Sequence, residues 1–164
     1  LFMMNIRAAN SGDAEVICAI YNHYVRHTTI SFEEVEVSVS EMSRRLLDVT
    51  DSLPWLVMEN GGVVDGYAYA TKWRARSAYR FSVETSVYLS PTSTGKGYGA
   101  SLYEKLLHDL AKLGVHVIIA GIALPNNASI KLHEKMGFIK VAHFEQVGFK
   151  NHQWIDVGYW QRLM

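Results

Sequence analysis

Apolar residues recur at two periods along the chain, and each change of period marks an element. Ile17, Ile20, Tyr21 and Tyr24 follow one another at three and four between Ala14 and Val25, the spacing of a helix with one buried face. Asn5 to Ala8 before it reads as a short strand, and Ser11-Gly12-Asp13 supplies a loop and a helix N-cap. Residues 28–37, rich in threonine, glutamate and valine, hold no period and read as irregular. Ser38 with Glu41 three positions on resembles a capping box, opening a second helix that carries Met42 and Leu46. After Pro54 the period shortens. Trp55 to Glu59 and Val63 to Thr71 are apolar runs joined by Asn60-Gly61-Gly62, residues that accept the positive φ of a hairpin turn. Phe81 to Leu89 is a further strand. Leu102, Leu106, Leu110 and Leu113 then line one face of a long helix that ends at Gly114. Val115 to Ala123 reads as a buried strand. Pro125-Asn126-Asn127 opens a helix that turns Ile130 and Leu132 inward and stops at Gly137. Ile139 to Phe144 and Trp154 to Gln161 close the chain as strands, linked through Lys150-Asn151-His152.

This order predicts a single α/β domain over residues 1–164: a mixed, mostly antiparallel sheet flanked by helices. Its one central parallel βαβ unit is Phe81–Ala123, with a right-handed crossover. Composition narrows the function. Sixteen basic residues balance sixteen acidic ones, so the basic surface of a nucleic-acid binder is missing and no such partner is expected. Cys18 is the sole cysteine, which excludes an internal disulfide and a multi-cysteine zinc site, and it reads as a small core residue. His23 and His27 stand four apart, a metal-binding spacing, but no third ligand or catalytic glutamate accompanies them; they read as surface residues and no metal is expected. No apolar run reaches membrane-spanning length and the opening Leu1-Phe2-Met3-Met4 is no signal sequence, so the protein is expected to be cytoplasmic, with no membrane partner. Overall neutrality hides two imbalances. Glu33, Glu34, Glu36 and Glu41 cluster without a base, and Lys72, Arg74, Arg76 and Arg80 cluster without an acid. Two solvated loops would be the plain explanation.

The segment with the most chemistry is Thr94-Gly95-Lys96-Gly97-Tyr98-Gly99-Ala100, between the Phe81–Leu89 strand and a helix. Alternating glycines let the backbone turn sharply and approach a ligand closely, and the free N–H groups at the helix start suit a phosphate. A Walker loop would need Gly-Lys followed by Ser or Thr at its own spacing, and a dinucleotide fingerprint would need Gly-x-Gly-x-x-Gly in the first strand–helix turn. Neither is present. A tight turn packed on the sheet is the structural alternative.

That loop and helix, a strand, and then Asn126-x-x-Ser129-x-x-Leu132-x-x-x-x-Gly137-Phe138 together resemble the GNAT acetyltransferases. Ile20-Tyr21-Asn22, Thr29 to Glu33, Gly66-Tyr67-Ala68, Trp73-Arg74, Val83 to Tyr88 and Val147-Gly148-Phe149-Lys150 are similar to its phosphinothricin/methionine-sulfoximine N-acetyltransferase branch, from about Ile6 to Gln161. The resemblance implies acetyl-CoA as co-substrate. Its pantetheine arm would lie on backbone groups of Val87, Tyr88 and Leu89, and its pyrophosphate on amides of Gly95, Lys96, Gly97, Tyr98, Gly99 and Ala100. Asn126 and Ser129 would hold the arm from the other side, with Lys135 near the nucleotide. Thr94 departs from the Arg or Gln usual before the first glycine, and Lys96 is the candidate to replace that donor. Homodimers are usual in this branch, and four tryptophans and nine tyrosines exceed what a small core needs.

An ammonium cannot attack a thioester, so a base must take its proton. Glu84 stands alone as a charge in a strand of Val, Thr, Ser and Tyr, on the same face as Ser86 and Tyr88. An outward charge on a half-exposed strand is the alternative, and the resemblance implies catalysis. A backbone N–H of the Val87–Leu89 strand would hold the oxyanion. His133 occupies the position where many GNAT enzymes keep a tyrosine acid, so it is the candidate to protonate the departing thiolate. Arg74 and Arg80, joined by Arg76 at a position where the branch does not regularly keep arginine, suit an anionic group on the acceptor. Phe32, Trp73 and Tyr88 could wall its side chain, and Thr85 joins the acceptor pocket. The expected reaction is direct acetylation, in a ternary complex, of the α-amine of a small amino-acid-like acceptor: phosphinothricin, methionine sulfoximine or methionine sulfone. Acetylation of another amine (a protein N-terminus, a polyamine, an aminoglycoside) and a non-catalytic acyl-CoA sensor are the alternatives.

Overall fold

Strand β1 (Met4–Ala8) pairs antiparallel with β2 (Trp55–Asn60), so everything between them must be laid over one face of the sheet. That crossover holds α1 (Ala14–His27) and α2 (Val39–Thr50). The structure, a computed structural model, describes residues 3–164; Leu1 and Phe2 lie outside the described residues. β3 (Val63–Lys72) and β4 (Ser82–Leu89) continue the antiparallel meander. Then follow α3 (Tyr98–Lys112), β5 (Val117–Ala123), α4 (Asn127–Lys135), β6 (Ile139–Lys150) and β7 (Gln153–Leu163). The sheet order is β1-β2-β3-β4-β5-β7-β6, and β4–β5 is its parallel pair. The expected α/β architecture is therefore present.

Two cores sit on opposite faces. Ile17, Val25 and Leu46 of the first two helices close over Val57 and Tyr67, while Leu102, Leu106 and Leu110 of α3 close over Met58, Ala70 and Ile118. Each of these leucines contributes about 1.5–3 kcal/mol by its removal from water. Leu113 departs from the predicted stripe and is exposed. It is the C-cap of α3, and Gly114, at φ +76°, turns the chain away before another turn can form. The capping box at α2 is half made: Ser38 accepts from the Glu41 N–H, but the Glu41 carboxylate is taken by Arg44 and Arg45.

β6 runs six residues past its predicted end at Phe144. A bulge between Phe144 and Gly148 hides the alternation, with Gln146 at φ +50° and its N–H donating to Asp156 Oδ1 at 2.8 Å. No helix among the described residues is long and apolar enough to cross a membrane.

The irregular stretch after α1 is pinned by one buried amide. Asn22 Nδ2 donates to the Val37 carbonyl at 2.8 Å and Oδ1 accepts from its N–H at 2.9 Å. Asn22→Ala leaves the buried Val37 N–H unpaired and its carbonyl with only the weak Cys18 thiol donor at 3.1 Å, and a loss of about 1–3 kcal/mol in urea unfolding is expected.

Candidate active site

β4 and β5 stay hydrogen-bonded through three residue pairs, Ser82–Val117, Val83–Ile118 and Glu84–Ile119. Beyond Glu84 they separate, and Thr85 to Leu89 have no partner on the β5 side. The gap opens into a cavity of about 480 Å³ lined by Val87, Tyr88 and Leu89 on one side and Asn126, Ser129 and Lys135 on the other. The glycine loop closes its end. Gly95 and Gly97 have φ of +75° and +80°, with nothing within 4 Å of the space a Cβ would fill. Gly97 caps α3 without a side chain, so the first-turn N–H groups of the helix are left for a ligand. Gly99 is needed for a different reason: a Cβ there would sit 3.0 Å from Leu132 of α4. An unpaired strand edge running to an uncapped helix N-terminus fits an extended amide-containing arm that ends in a diphosphate.

The other predicted cofactor residues fall around this cleft. Thr94 Oγ1 is 3.5 Å from the Pro91 carbonyl at the cleft wall. Lys96 reaches over the Tyr98 ring, its amine 6.0 Å from the centroid, and Ala100 begins the buried side of α3. Asn126 caps α4 by accepting from the Ser129 N–H at 3.1 Å. Tyr24 donates to the Leu89 carbonyl at 2.5 Å, tying α1 to the open strand.

Glu84 sits at the fork. Its Oε1 lies 3.5 Å from where a Cβ on Gly121 would stand, ordinary van der Waals contact, while the Tyr159 ring comes closer, to 3.1 Å, so this mid-strand glycine makes room for Tyr159 beside the carboxyl. Burial raises the Glu84 pKa above the ordinary carboxyl range, and the Arg74 guanidinium partly offsets that. Tyr159, paired with Gly121 across β5–β7, faces the same spot, and Trp73 packs edge-on to its ring at 5.8 Å. Arg74 lies 4.9 Å over Trp73. Together Trp73, Arg74, Phe144 and Tyr159 line a cavity of about 270 Å³. Gly121 and Tyr159 were not among the predicted site residues; an isolated glycine in an apolar strand was the available signal for a close approach.

The two charge clusters have different fates. Glu33, Glu36 and Glu41 are paired with Arg45, Arg26 and Arg44. Lys72, Arg74, Arg76 and Arg80 form no ion pair among the described residues. Of these, Arg74 is the one whose charge acts on Glu84. Arg80 covers the Phe81 ring at 4.5 Å and donates to the Ser77 carbonyl, and Arg76 is exposed beside it.

Tyr88 is edge-on to Tyr21 at 5.4 Å under α1, and Phe32 covers Gly148 of β6. Thr85, expected in the acceptor pocket, points to the other face from Glu84. Its hydroxyl is 2.9 Å from the Tyr103 hydroxyl in the α3 core, as strand alternation requires.

His133 belongs to that same chain of contacts. Its Nδ1 is 2.7 Å from the Ser129 carbonyl, an acceptor only, so Nδ1 carries the proton. Nε2, 2.7 Å from Tyr103 Oη, must then accept from it, and Tyr103 accepts in turn from Thr85. Both ring nitrogens are engaged, so this arrangement leaves no free N–H for a departing thiolate, and the general-acid role expected for His133 has no donor here. Burial lowers its pKa, keeping the ring neutral. An unfolded histidine takes its proton near 6.5, the buried one only at lower pH. The stability this site contributes is therefore complete above about pH 6.5 and is lost as pH falls below it. His133→Gln is expected to flatten the drop in Tm between pH 7.5 and about 5.5 relative to the parent protein.

The sequence matches the family described as acetyltransferase (GNAT) domain over residues 6–158. It is 39% identical over 159 residues to a phosphinothricin N-acetyltransferase of Streptomyces viridochromogenes, covering 97% of this chain and 87% of that protein. To an L-methionine sulfoximine/L-methionine sulfone acetyltransferase of Salmonella typhimurium it is 39% identical over 163 residues, covering 96% of this chain and 93% of the relative. The solved structure of yncA from Salmonella typhimurium, with its cofactor acetyl-CoA, superposes with a TM-score of 0.96 at 38% identity, covering 98% of this chain and 94% of that one. Such similarity extends through the forked strands, the glycine loop and the helix behind it, and the chain belongs to the GNAT acetyltransferase family.

Proposed function

We propose that this protein transfers acetyl from acetyl-CoA to the α-amine of a small amino-acid-like acceptor, of the methionine sulfone, methionine sulfoximine or phosphinothricin type. The observation that carries the reading is the half-buried Glu84 carboxyl at the fork of β4 and β5, with the open cleft on one side and the unpaired Arg74 on the other.

Acetyl-CoA supplies an activated acyl group. The open edge of β4 from Val87 to Leu89 would hold its arm, the amides of Gly95 to Ala100 its diphosphate, and Asn126, Ser129 and Lys135 the opposite wall. A backbone N–H of that edge would hold the carbonyl oxygen as charge develops on it. Glu84 takes the proton of the acceptor's ammonium, directly or through a water, and frees the lone pair. Arg74 receives the acceptor's anionic group, which places its amine toward Glu84. Transfer is direct. Cys18 is no alternative nucleophile: it is buried, its thiol donates to the Val37 carbonyl at 3.1 Å, and burial pushes its pKa up. A second copy of the chain is the expected cover for the β6–β7 ribbon, where Phe144, Val147, Phe149 and Trp154 are all exposed.

Thiol release across a panel of amines tests the reading. Turnover of methionine sulfone with little on spermidine or an aminoglycoside is expected, since unpaired arginines repel polycations. Turnover confined to polycations or peptide N-termini would overturn it, as would acetyl-CoA binding with no turnover of any amine.

A further inference from the structure

Beyond Glu84, β4 and β5 share no ladder, so the sheet does not set the distance between the two walls of the cleft. A ligand gripped from both sides needs that distance fixed. The far wall is α4, a helix of nine residues of which one is buried. Ile130 and Leu132 pack against the core only in part. The buried residue is His133, 6% exposed, and it is polar.

Under the gap runs one hydrogen-bonded row. The Thr85 hydroxyl of β4 is 2.9 Å from Tyr103 Oη of α3, Tyr103 Oη is 2.7 Å from His133 Nε2, and His133 Nδ1 is 2.7 Å from the Ser129 carbonyl. Each donor points the same way, from β4 toward α4. Tyr103 and Thr85 are buried too, and Phe138 lies edge-on to the Tyr103 and His133 rings, at 5.6 and 5.2 Å. Among the described residues, no other side-chain hydrogen bond joins α4 to α3 or to β4. Thr85 and His133 both line the inner end of the gap beside Gly121, and His133 and Ser129 line the main cleft, whereas Tyr103 lines neither. Apolar contact is non-directional and would let a short helix slide. A hydrogen bond holds at one length and angle, and a satisfied buried row stiffens what it joins.

We propose that Tyr103 is a positioning residue for acetyl-CoA: with Thr85 and His133 it ties α4 to β4 across the fork and holds the cleft at the width the cofactor arm requires. The proposal rests on the reading of that cleft as the cofactor site. Tyr103 touches no ligand. It acts through His133, which fixes the Ser129 turn of α4, and through Thr85, the neighbour of Glu84 in β4. This role also accounts for a buried neutral imidazole, which accepts on one nitrogen while donating from the other.

Tyr103→Phe keeps the ring against Phe138 and deletes the middle link. Acetyl-CoA binding, followed by titration calorimetry without acceptor, is expected to weaken about three- to ten-fold, because the ligand must then order the wall it meets. In turnover the same factor should appear in the KM for acetyl-CoA, with the KM for methionine sulfone within about two-fold of the parent value. His133→Gln is the conservative arm: its amide oxygen accepts from Tyr103 in place of Nε2, so acetyl-CoA affinity should stay within about two-fold, while His133→Leu should match Tyr103→Phe. Thr85→Val removes the β4 end and should weaken binding alone but add almost nothing to Tyr103→Phe, as links of one row must. Should Tyr103→Phe melt early, Thr85→Val and the two His133 variants carry the test. Unchanged affinity in Tyr103→Phe and Thr85→Val overturns the tie and leaves the cofactor cleft standing. Equal weakening in His133→Gln and His133→Leu would assign the imidazole to packing by shape, and overturns the tie as well. A parent protein that binds no acetyl-CoA sinks both readings.

Discussion

Glu84→Gln is expected to lower kcat on methionine sulfone by about two to four orders of magnitude while leaving acetyl-CoA affinity within a few-fold. The amide keeps the size of the carboxyl and its place beside Gly121, so the fold and the cleft are unchanged; what is lost is a proton acceptor. Two signatures separate this from mere damage. The deficit should shrink as pH rises, because the acceptor amine then deprotonates in bulk water without help. The acid limb of kcat/KM in the parent protein should lie above 4.5, the ordinary carboxyl value, because burial raises the Glu84 pKa and activity falls as the carboxyl takes its proton. A variant that retains more than about a tenth of parental kcat near neutral pH would show that another group, or solvent, deprotonates the amine.

Glu84 was legible in the sequence because its strand is so uniform. One ionisable residue among Val, Thr, Ser and Tyr has few reasons to be there, and strand alternation put it on a face with Ser86 and Tyr88, where it lies. The glycine loop was legible because alternating glycines before a helix serve a backbone that must turn tightly, and Gly95 and Gly97 do sit at positive φ. What stayed hidden depends on contacts between elements far apart in the chain. The fork between β4 and β5 is a matter of where pairing stops, and no residue announces it. Tyr159 reaches Glu84 only because β7 inserts between β5 and β6, an order that local periodicity does not encode. His133 read as a free imidazole, since neither Tyr103 beneath it nor the Ser129 carbonyl can be inferred from helix spacing. Thr85 was grouped with its neighbour Glu84, and the alternation that places Glu84 correctly is what sends Thr85 into the opposite core. The cation cluster was visible, but its meaning came from the contrast: Glu33, Glu36 and Glu41 of the acidic cluster are paired with arginines of α1 and α2, while the basic one forms no ion pair among the described residues.

Arg74→Ala should therefore act on the acceptor, and in two ways at once. A guanidinium facing a carboxylate makes charge-assisted hydrogen bonds worth about 1.5–3 kcal/mol, so KM for methionine sulfone is expected to rise roughly 10- to 150-fold with kcat less affected. An amine of similar size without the carboxylate should show little change, since it never engaged the cation. The second effect is electrostatic and runs through Glu84. Arg74 holds the Glu84 pKa below the level that burial alone would set, so its removal lets that pKa climb. The acid limb of kcat/KM must then move to higher pH in Arg74→Ala, and Arg74→Lys, which keeps the charge but not the planar fork, should restore the limb while recovering only part of the KM. Saturation kinetics at several pH values read both effects from one data set. A KM that rises with an unmoved limb would place the anion on Arg74 but remove its charge from the neighbourhood of Glu84; an unmoved KM would take Arg74 out of acceptor binding and with it the orientation that brings the amine to the fork.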